Sequence, residues 1–296
     1  NVQVYVLQRY TFPESRLCSF VPYAVDCDSS RDVLRYLCYI CDESILTYMK
    51  RFFLLTAFLL LSVLSFAQPK EIKTVAILGD SYSTFDGYIP EGNACWYFTT
   101  PQGENDVVAV EQTWWHQFCE EGGYELLMNE SYSGSTICNT GYDGADYSLR
   151  SFCYRMNLLV SGDEIADLLL VFGGTNDSWA DVPIGELKYE DWDPKDMYSC
   201  LPACCFMLDH LTTRAPESEI VFIINSELKY EITNGIIEAC AHYGVHSLLL
   251  KDIEKKWGHP SIKGMAQINE QLSAFVAGLH QAGPSESLQT DSGKIR

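Results

Sequence analysis

Positive charge is scarce in this sequence: 20 Lys+Arg stand against 40 Asp+Glu in 296 residues, a formal net charge of −20 with His neutral. A phosphate-binding surface for DNA or RNA needs clustered Lys and Arg, so no nucleic-acid partner is expected. The same deficit speaks against docking on an anionic lipid surface. Methionine is missing until Met49, although six occur in the chain. No internal repeat is present, and no apolar run reaches the ~20 residues that a spanning helix needs. After residue 67 no cysteine stands in a CxxC or Cys/His zinc spacing, so no metal site is expected. What the chain does have is a 47% apolar share, enough for a core, which rules out wholesale disorder.

The first 67 residues read differently from the rest. Met49-Lys50-Arg51 is a positive start, Phe52–Leu64 is apolar except for Thr56 and Ser62, and Ser65-Phe66-Ala67 places small residues at the −3 and −1 positions before Gln68. That is the layout of a secretory signal peptide over 49–67, with no stable membrane insertion after cleavage; a retained anchor is the rival. Residues 1–48 are then expected to be a non-native upstream segment, a genuine small N-terminal region being the alternative. The acidic and basic residues of 1–67 cancel, so the whole negative excess belongs to residues 68–296. Export to a periplasm or outside the cell would let the later cysteines oxidise, although buried free thiols are the commoner state for such residues.

From 68 to 282 the pattern is that of one α/β domain, and the Ser-, Gly- and Gln-rich 283–296 is expected to be a flexible tail. Five short apolar runs stand out: Thr74–Leu78, Glu125–Met128, Leu168–Phe172, Ile220–Ile224 and His246–Leu250. Near-continuous hydrophobicity over so few residues marks strands buried on both faces. Helical periodicity lies between them, over Glu111–Glu121, Pro194–Leu211, Ile232–His242 and Met265–Leu279, the last opened by Pro260-Ser261 as a cap. Alternating strands and helices predict a parallel sheet covered on both faces. Ser135–Ser151, rich in Gly, Asn, Asp and Ser, reads as a long loop near the site. Ligands in such sheets sit at the carboxyl ends of the strands, where the strand order reverses.

Four strand ends carry polar motifs. Gly79-Asp80-Ser81-Tyr82-Ser83 follows the first, Asn129-Glu130-Ser131-Tyr132-Ser133-Gly134 the second, Gly173-Gly174-Thr175-Asn176-Asp177 the third, and Gly258-His259-Pro260-Ser261 the fifth. Each alone is weak, since Ser81 can cap a helix and Asn176 and Gly134 can serve turns. Together, in this order, they resemble the SGNH/GDSL hydrolase family over nearly all of 73–279. The resemblance implies a flavodoxin-like three-layer α/β/α sandwich with a five-stranded parallel sheet in the order 2-1-3-4-5.

It also implies roles that elementary chemistry accepts. A serine hydroxyl needs a base to become a nucleophile, and the oxyanion that forms on the attacked carbonyl needs aimed donors. Ser81 would attack, His259 would be the base, and the oxyanion would meet the N–H groups of Ser81 and Gly134 and the amide of Asn176. Asp80 and Asp177 are read as holding loop backbone, and His116, His210, His242, His246 and His280 as structural. The family usually carries an Asp three residues before the His, where this chain has Lys256, which cannot accept a hydrogen bond from Nδ1–H or stabilise an imidazolium. Three explanations stand: Asp252 or Glu254 orients His259 from upstream, a backbone carbonyl does so, or the enzyme is inactive.

Aromatic residues lie near these motifs: Tyr82, Phe85, Tyr88, Trp96, Tyr97, Tyr132 and Trp179. Exposed rings can stack on sugars, and no broad apolar lid of the kind a lipase needs is evident. The expectation is therefore a secreted or periplasmic serine esterase that cleaves an O-acyl ester, acetyl by preference, from a small molecule or a glycan, without metal or organic cofactor. A catalytically decayed, carbohydrate-binding member of the family is the second reading. A flavin phosphate cradle fits Ser81-Tyr82-Ser83-Thr84 poorly and leaves Asn176 and His259 without a purpose.

Overall fold

The computed structural model describes residues 2–10, 19–27, 51–52, 71–162 and 164–281, and the chain divides into two units, Asn1–Gln68 and Pro69–Arg296. In the first unit, strands β1 (Val2–Tyr10) and β2 (Ser19–Cys27) pair antiparallel. The expected leader, apart from Arg51 and Phe52, and the expected tail lie outside the described residues. Among the described residues no helix is long and apolar enough to cross a membrane.

The second unit is built on five strands: β3 (Thr74–Gly79), β4 (Glu125–Ser131), β5 (Leu168–Gly173), β6 (Glu219–Ile224) and β7 (His246–Leu249). They pair in parallel in the spatial order β4-β3-β5-β6-β7, which is the 2-1-3-4-5 order of a flavodoxin-like sheet. All five apolar runs are strands. β5 is buried along its full length at the centre, whereas β7, at an edge, is short and half exposed, as an edge strand protected from further pairing should be.

Alternation along the strands sends side chains into two separate cores. Leu168, Leu170 and Phe172 of β5 join Val75 and Ile77 of β3 on one face, under helices α1 (Trp114–Gly122) and α6 (Ile262–Gln281). Leu169 and Val171 join Ala76 and Leu78 on the other, under α2 (Phe152–Leu159), α4 (Cys200–Arg214) and α5 (Tyr230–Tyr243). A short helix α3 (Thr175–Trp179) follows β5 directly. Each fully buried Leu, Ile or Phe here is worth roughly 1.5–3 kcal/mol of transfer free energy. The eight cysteines after residue 67 carry free thiols, seven of them buried, and six belong to the second of these cores.

Two helices begin later than their periodicity suggests; α1 opens at Trp114 rather than Glu111, after a 3₁₀ turn over Val110–Gln112. α4 starts at Cys200 rather than Pro194, because Asp193 and Asp196 turn the chain first: Lys195 N–H donates to Asp193 Oδ1 at 3.0 Å and Asp193 N–H to Asp196 Oδ2 at 2.8 Å. Such side-chain bonds offer the backbone an alternative to the helix. α2 opens at the end of the expected loop, where the Ser151 side chain accepts from Tyr154 N–H.

α6 is anchored against the loop that precedes it. Ser261 Oγ accepts from Gly264 N–H at 3.1 Å and donates to Glu254 Oε1 at 2.7 Å, and a Cβ at Gly264 would lie 2.0 Å from the Glu254 carbonyl oxygen. Gly264→Ala is expected to cost about 1–3 kcal/mol of overpacking strain, seen as a lower midpoint in thermal unfolding followed by circular dichroism.

Candidate active site

Strand β3 ends at Gly79, and the chain turns at once into a 3₁₀ turn, Ser81–Ser83. Asp80 caps it by accepting from Tyr82 N–H at 3.0 Å. A Cβ at Gly79 would lie 2.4 Å from Ser131 Oγ and 2.7 Å from Ser83, so only glycine lets β3, β4 and the turn close this tightly. Ser81 is thereby buried at the carboxyl edge of the sheet, beside the reversal of strand order.

His259 arrives from a second direction. It lies on β9 (His259–Pro260), paired antiparallel with β8 (Lys255–Lys256) through a two-residue turn, Trp257-Gly258, with φ of 55° and 73°. Two positive φ values in a two-residue loop make the hairpin turn that matches the twist of its strands. Glycine accepts this freely; Trp257 holds a conformation that bulky residues rarely adopt. The result is that the Trp257 carbonyl oxygen lies 3.0 Å from His259 Nδ1, while Nε2 lies 3.0 Å from Ser81 Oγ. Tyr82 Oη donates to Gly258 O at 2.6 Å, Tyr97 Oη to Pro260 O at 2.9 Å and Asn105 Nδ2 to Pro260 O at 3.1 Å. Three side chains from the first loops therefore pin the hairpin by its backbone.

The carbonyl at Nδ1 can only accept a hydrogen bond, so Nδ1 carries the hydrogen and Nε2 presents its lone pair to the Ser81 hydroxyl. Burial pushes the His259 pKa down to about 4, helped by the charge of Lys255 and opposed by the Trp257 carbonyl. A neutral imidazole facing a hydroxyl can take its proton.

The expectation that Asp252 or Glu254 orients this ring is corrected by the geometry. Glu254 accepts from Ser261 Oγ and pairs with Lys263 at 3.2 Å, Asp252 is exposed in a left-handed turn (φ 53°), and the carbonyl has the Nδ1 position. Lys256, where the family carries Asp, points its charge elsewhere: its Nζ lies 2.6 Å from Asp106 Oδ2.

Asn176 sits in α3, with its Oδ1 accepting from Tyr142 Oη at 2.9 Å and its Nδ2 3.4 Å from Asp80 Oδ2. The tyrosine fixes which way the amide faces. Asp80 is buried, and that burial pushes its pKa up to about 7. Gly134 occupies the third position of the Tyr132–Ser135 turn with φ 80°, where a left-handed residue is required, and a Cβ there would meet nothing within 4 Å. Tyr132 N–H donates to Gly79 O at 3.1 Å, which hangs this turn beside the Ser81 turn. The buried Arg155 braces both: its Nη2 donates to Gly79 O at 3.0 Å and Ser135 Oγ at 2.8 Å, and its Nη1 to Glu130 O. Asp177 accepts from Ile137 N–H at 2.8 Å and from Cys138 N–H at 3.4 Å, so it holds loop backbone.

Aromatic rings enclose His259. Trp96 stacks on it at 3.7 Å between centroids and 8° between planes, and Tyr82, Trp179 and Tyr97 stand steeply to it at 5.3, 5.9 and 6.4 Å. Phe85 and Tyr88 pack near each other instead, at 6.0 Å. Sequence reasoning missed Tyr142, Arg155 and Trp257; only Trp257, next to Gly258-His259, carried a signal, and that lay in its position rather than its type. Among the described residues no group of three or more His, Cys, Asp and Glu side chains is placed to hold a metal.

A family model for GDSL-like lipase/acylhydrolase matches residues 73–276, and the chain belongs to that family. It is an ester hydrolase. The structure is similar to that of a protein described as a GDSL-like lipase from Bacteroides ovatus, 48% identical, with a TM-score of 0.66 over 71% of this chain and 100% of the other. A counterpart from Bacteroides uniformis is also 48% identical, with a TM-score of 0.67 over 71% and 97%. A Lactobacillus plantarum protein shares the fold at 21% identity and a TM-score of 0.50, over 71% and 99%. No curated protein sequence matches the chain.

Two outcomes are expected of this geometry. Tyr142→Phe frees the Asn176 amide and is expected to lower kcat about 3- to 10-fold with KM nearly unchanged, the scale of one lost neutral hydrogen bond, in steady-state assays on 4-nitrophenyl acetate. A base whose pKa is depressed is lost only when the pH falls through that lower value, so the acid limb of kcat/KM that reports His259 is expected near pH 4 rather than 6.5, read from a pH–rate profile.

Proposed function

We propose that the protein is an exported serine esterase that removes an O-acyl group, acetyl by preference, from a carbohydrate, through an acyl-enzyme at Ser81. The observation that carries the reading is the 3.0 Å approach of Ser81 Oγ to the lone pair of His259 Nε2, with Nδ1 tied to a carbonyl. Ser81 Oγ adds to the ester carbonyl carbon as its proton passes to Nε2, and the carbonyl electron pair moves onto oxygen. The Ser81 and Gly134 N–H groups and Asn176 Nδ2 receive that oxyanion. Collapse breaks the bond to the alcohol, which leaves with the proton from Nε2. Water then repeats the sequence on the acyl-enzyme, with His259 again the base, and releases the acid.

A small acyl group suits the burial of the pair: Ser81 is 2% and His259 6% exposed. A sugar suits the rim, where the Trp179 and Trp257 rings are 42% and 62% exposed beside the histidine loop. Export rests on the leader pattern of 49–67, and the mature chain would begin at Gln68.

Ser81→Ala is expected to abolish turnover of 4-nitrophenyl acetate, and Asn176→Ala to lower kcat by about 10²- to 10³-fold. Rates should fall from acetyl to butyryl to octanoyl esters, and acetate should be released from acetylated xylan or a comparable glycan. Absence of turnover on every ester would favour the decayed, carbohydrate-binding reading instead. Sequencing the N-terminus of protein recovered from outside the cytoplasm tests the leader.

A further inference from the structure

We propose that Trp96 takes over the electrostatic part of the role a carboxylate beside His259 would fill: its indole face lies flat against the imidazole and stabilises the imidazolium formed when Ser81 gives up its proton. This inference rests on the esterase reading of Ser81 and His259. In the first step one proton moves from Oγ to Nε2, one bond forms from Oγ to the acyl carbon, and the ring becomes a cation while the former carbonyl oxygen becomes an anion. The oxyanion has its donors. The cation has the Trp257 carbonyl, a dipole with no net charge, and no carboxylate at Nδ1.

What faces the cation across its whole plane is the indole, 3.7 Å away and 8° from parallel. The face of an aromatic ring is the negative part of its quadrupole, and tryptophan offers the strongest such face. Tyr82, Trp179 and Tyr97 meet the ring at 62°, 74° and 81°, so among the described residues Trp96 alone offers it a parallel face. Trp96 is also fixed in place. Its backbone N–H donates to Thr84 Oγ1 at 2.9 Å, and the carbonyl of the next residue, Tyr97, accepts from Asp86 N–H at 2.9 Å, so the main chain that carries the indole is held on both sides. Burial makes such an interaction worth more than it is in water.

The other titratable groups around the ring are few. Lys255, on the same hairpin, opposes the cation, but its Nζ is held 2.7 Å from Glu227 Oε2 and 2.9 Å from Asn225 Oδ1. The Tyr82 and Tyr97 phenols are held above their ordinary values by burial. Asp80, beside Ser81 in the chain, titrates near 7 and is common to every variant considered. Trp96 touches no reacting atom of the ester, so it acts through His259 as a positioning residue.

The test compares wild type, Trp96→Leu and Trp96→Phe in kcat, KM and pH profile on 4-nitrophenyl acetate, with circular dichroism to confirm the fold. Trp96→Leu should lower kcat about 10- to 30-fold with KM within about twofold, and Trp96→Phe should fall between it and wild type. A face that favours the imidazolium raises the ring's pKa, so its loss should move the acid limb of kcat/KM to lower pH. A merely packing role gives the opposite sign: water enters, the limb rises toward 6.5, and both variants lose rate alike. That result, or a wild-type rate in Trp96→Leu, overturns the proposal.

A second readout needs no turnover and so separates failure of this inference from failure of the esterase reading. Indole emission should be quenched as His259 gains its proton, and the change should be absent in Trp96→Phe and in His259→Ala. Wild-type emission that does not respond while the His259 ring titrates also overturns the proposal.

Discussion

The site depends on one carbonyl. A serine hydroxyl is inert without a base, and a histidine is a base only if the tautomer is right and the ring is held still. Here both conditions come from the Trp257 carbonyl at Nδ1, made available by two consecutive residues in the left-handed region. The surrounding contacts serve that arrangement. Tyr82, Tyr97 and Asn105 hold the hairpin by its backbone from one side, and Ser261 ties its far end to the start of α6. A single bulky residue with positive φ costs on the order of 1–3 kcal/mol, and this network of buried bonds can offset that cost.

Depressed basicity and catalysis are not in conflict in such a pocket. Burial keeps the ring neutral at physiological pH, so the base is present in full, but it also makes the charged intermediate harder to form. A carboxylate would answer the second difficulty with a full charge and add a second buried ion to desolvate. A stack of aromatic rings with a peptide dipole answers it more weakly and without that penalty. With Trp96 in the role proposed for it, Lys256 in place of Asp is a different solution rather than a loss.

Much of the fold was legible because parallel strands buried on both faces leave no polar positions, so Leu168–Phe172 and Ile220–Ile224 read as strands without help. Ser81 and His259 could be singled out because their motifs occur in a distinctive order along the chain, and the structure brings the two side chains within 3.0 Å of each other. Of the explanations left open for Lys256, the geometry favours the backbone carbonyl over Asp252 or Glu254, a choice that side-chain identities alone could not make. The true partner is a main-chain oxygen, present at every residue, and it becomes available through two dihedral angles rather than a side-chain type. Tyr142 and Arg155 escaped notice for a related reason. They act from the long loop and from α2, tens of residues from the motifs they brace, and nothing in their neighbours sets them apart. The late start of α4 shows that helical periodicity in apolar residues does not see Asp193 and Asp196 competing for the same backbone.

The crowd of thiols under α2, α4 and α5 has a consequence of its own. Only the thiolate attacks a disulfide or an oxidant, and burial holds the thiols of Cys153, Cys200, Cys204 and Cys240 in the protonated form. In the folded domain these four thiols are silent toward exchange whatever the redox poise around them. Their sulfur serves as hydrocarbon-like filling, and their vulnerability to mispairing is confined to the interval before the sheet closes.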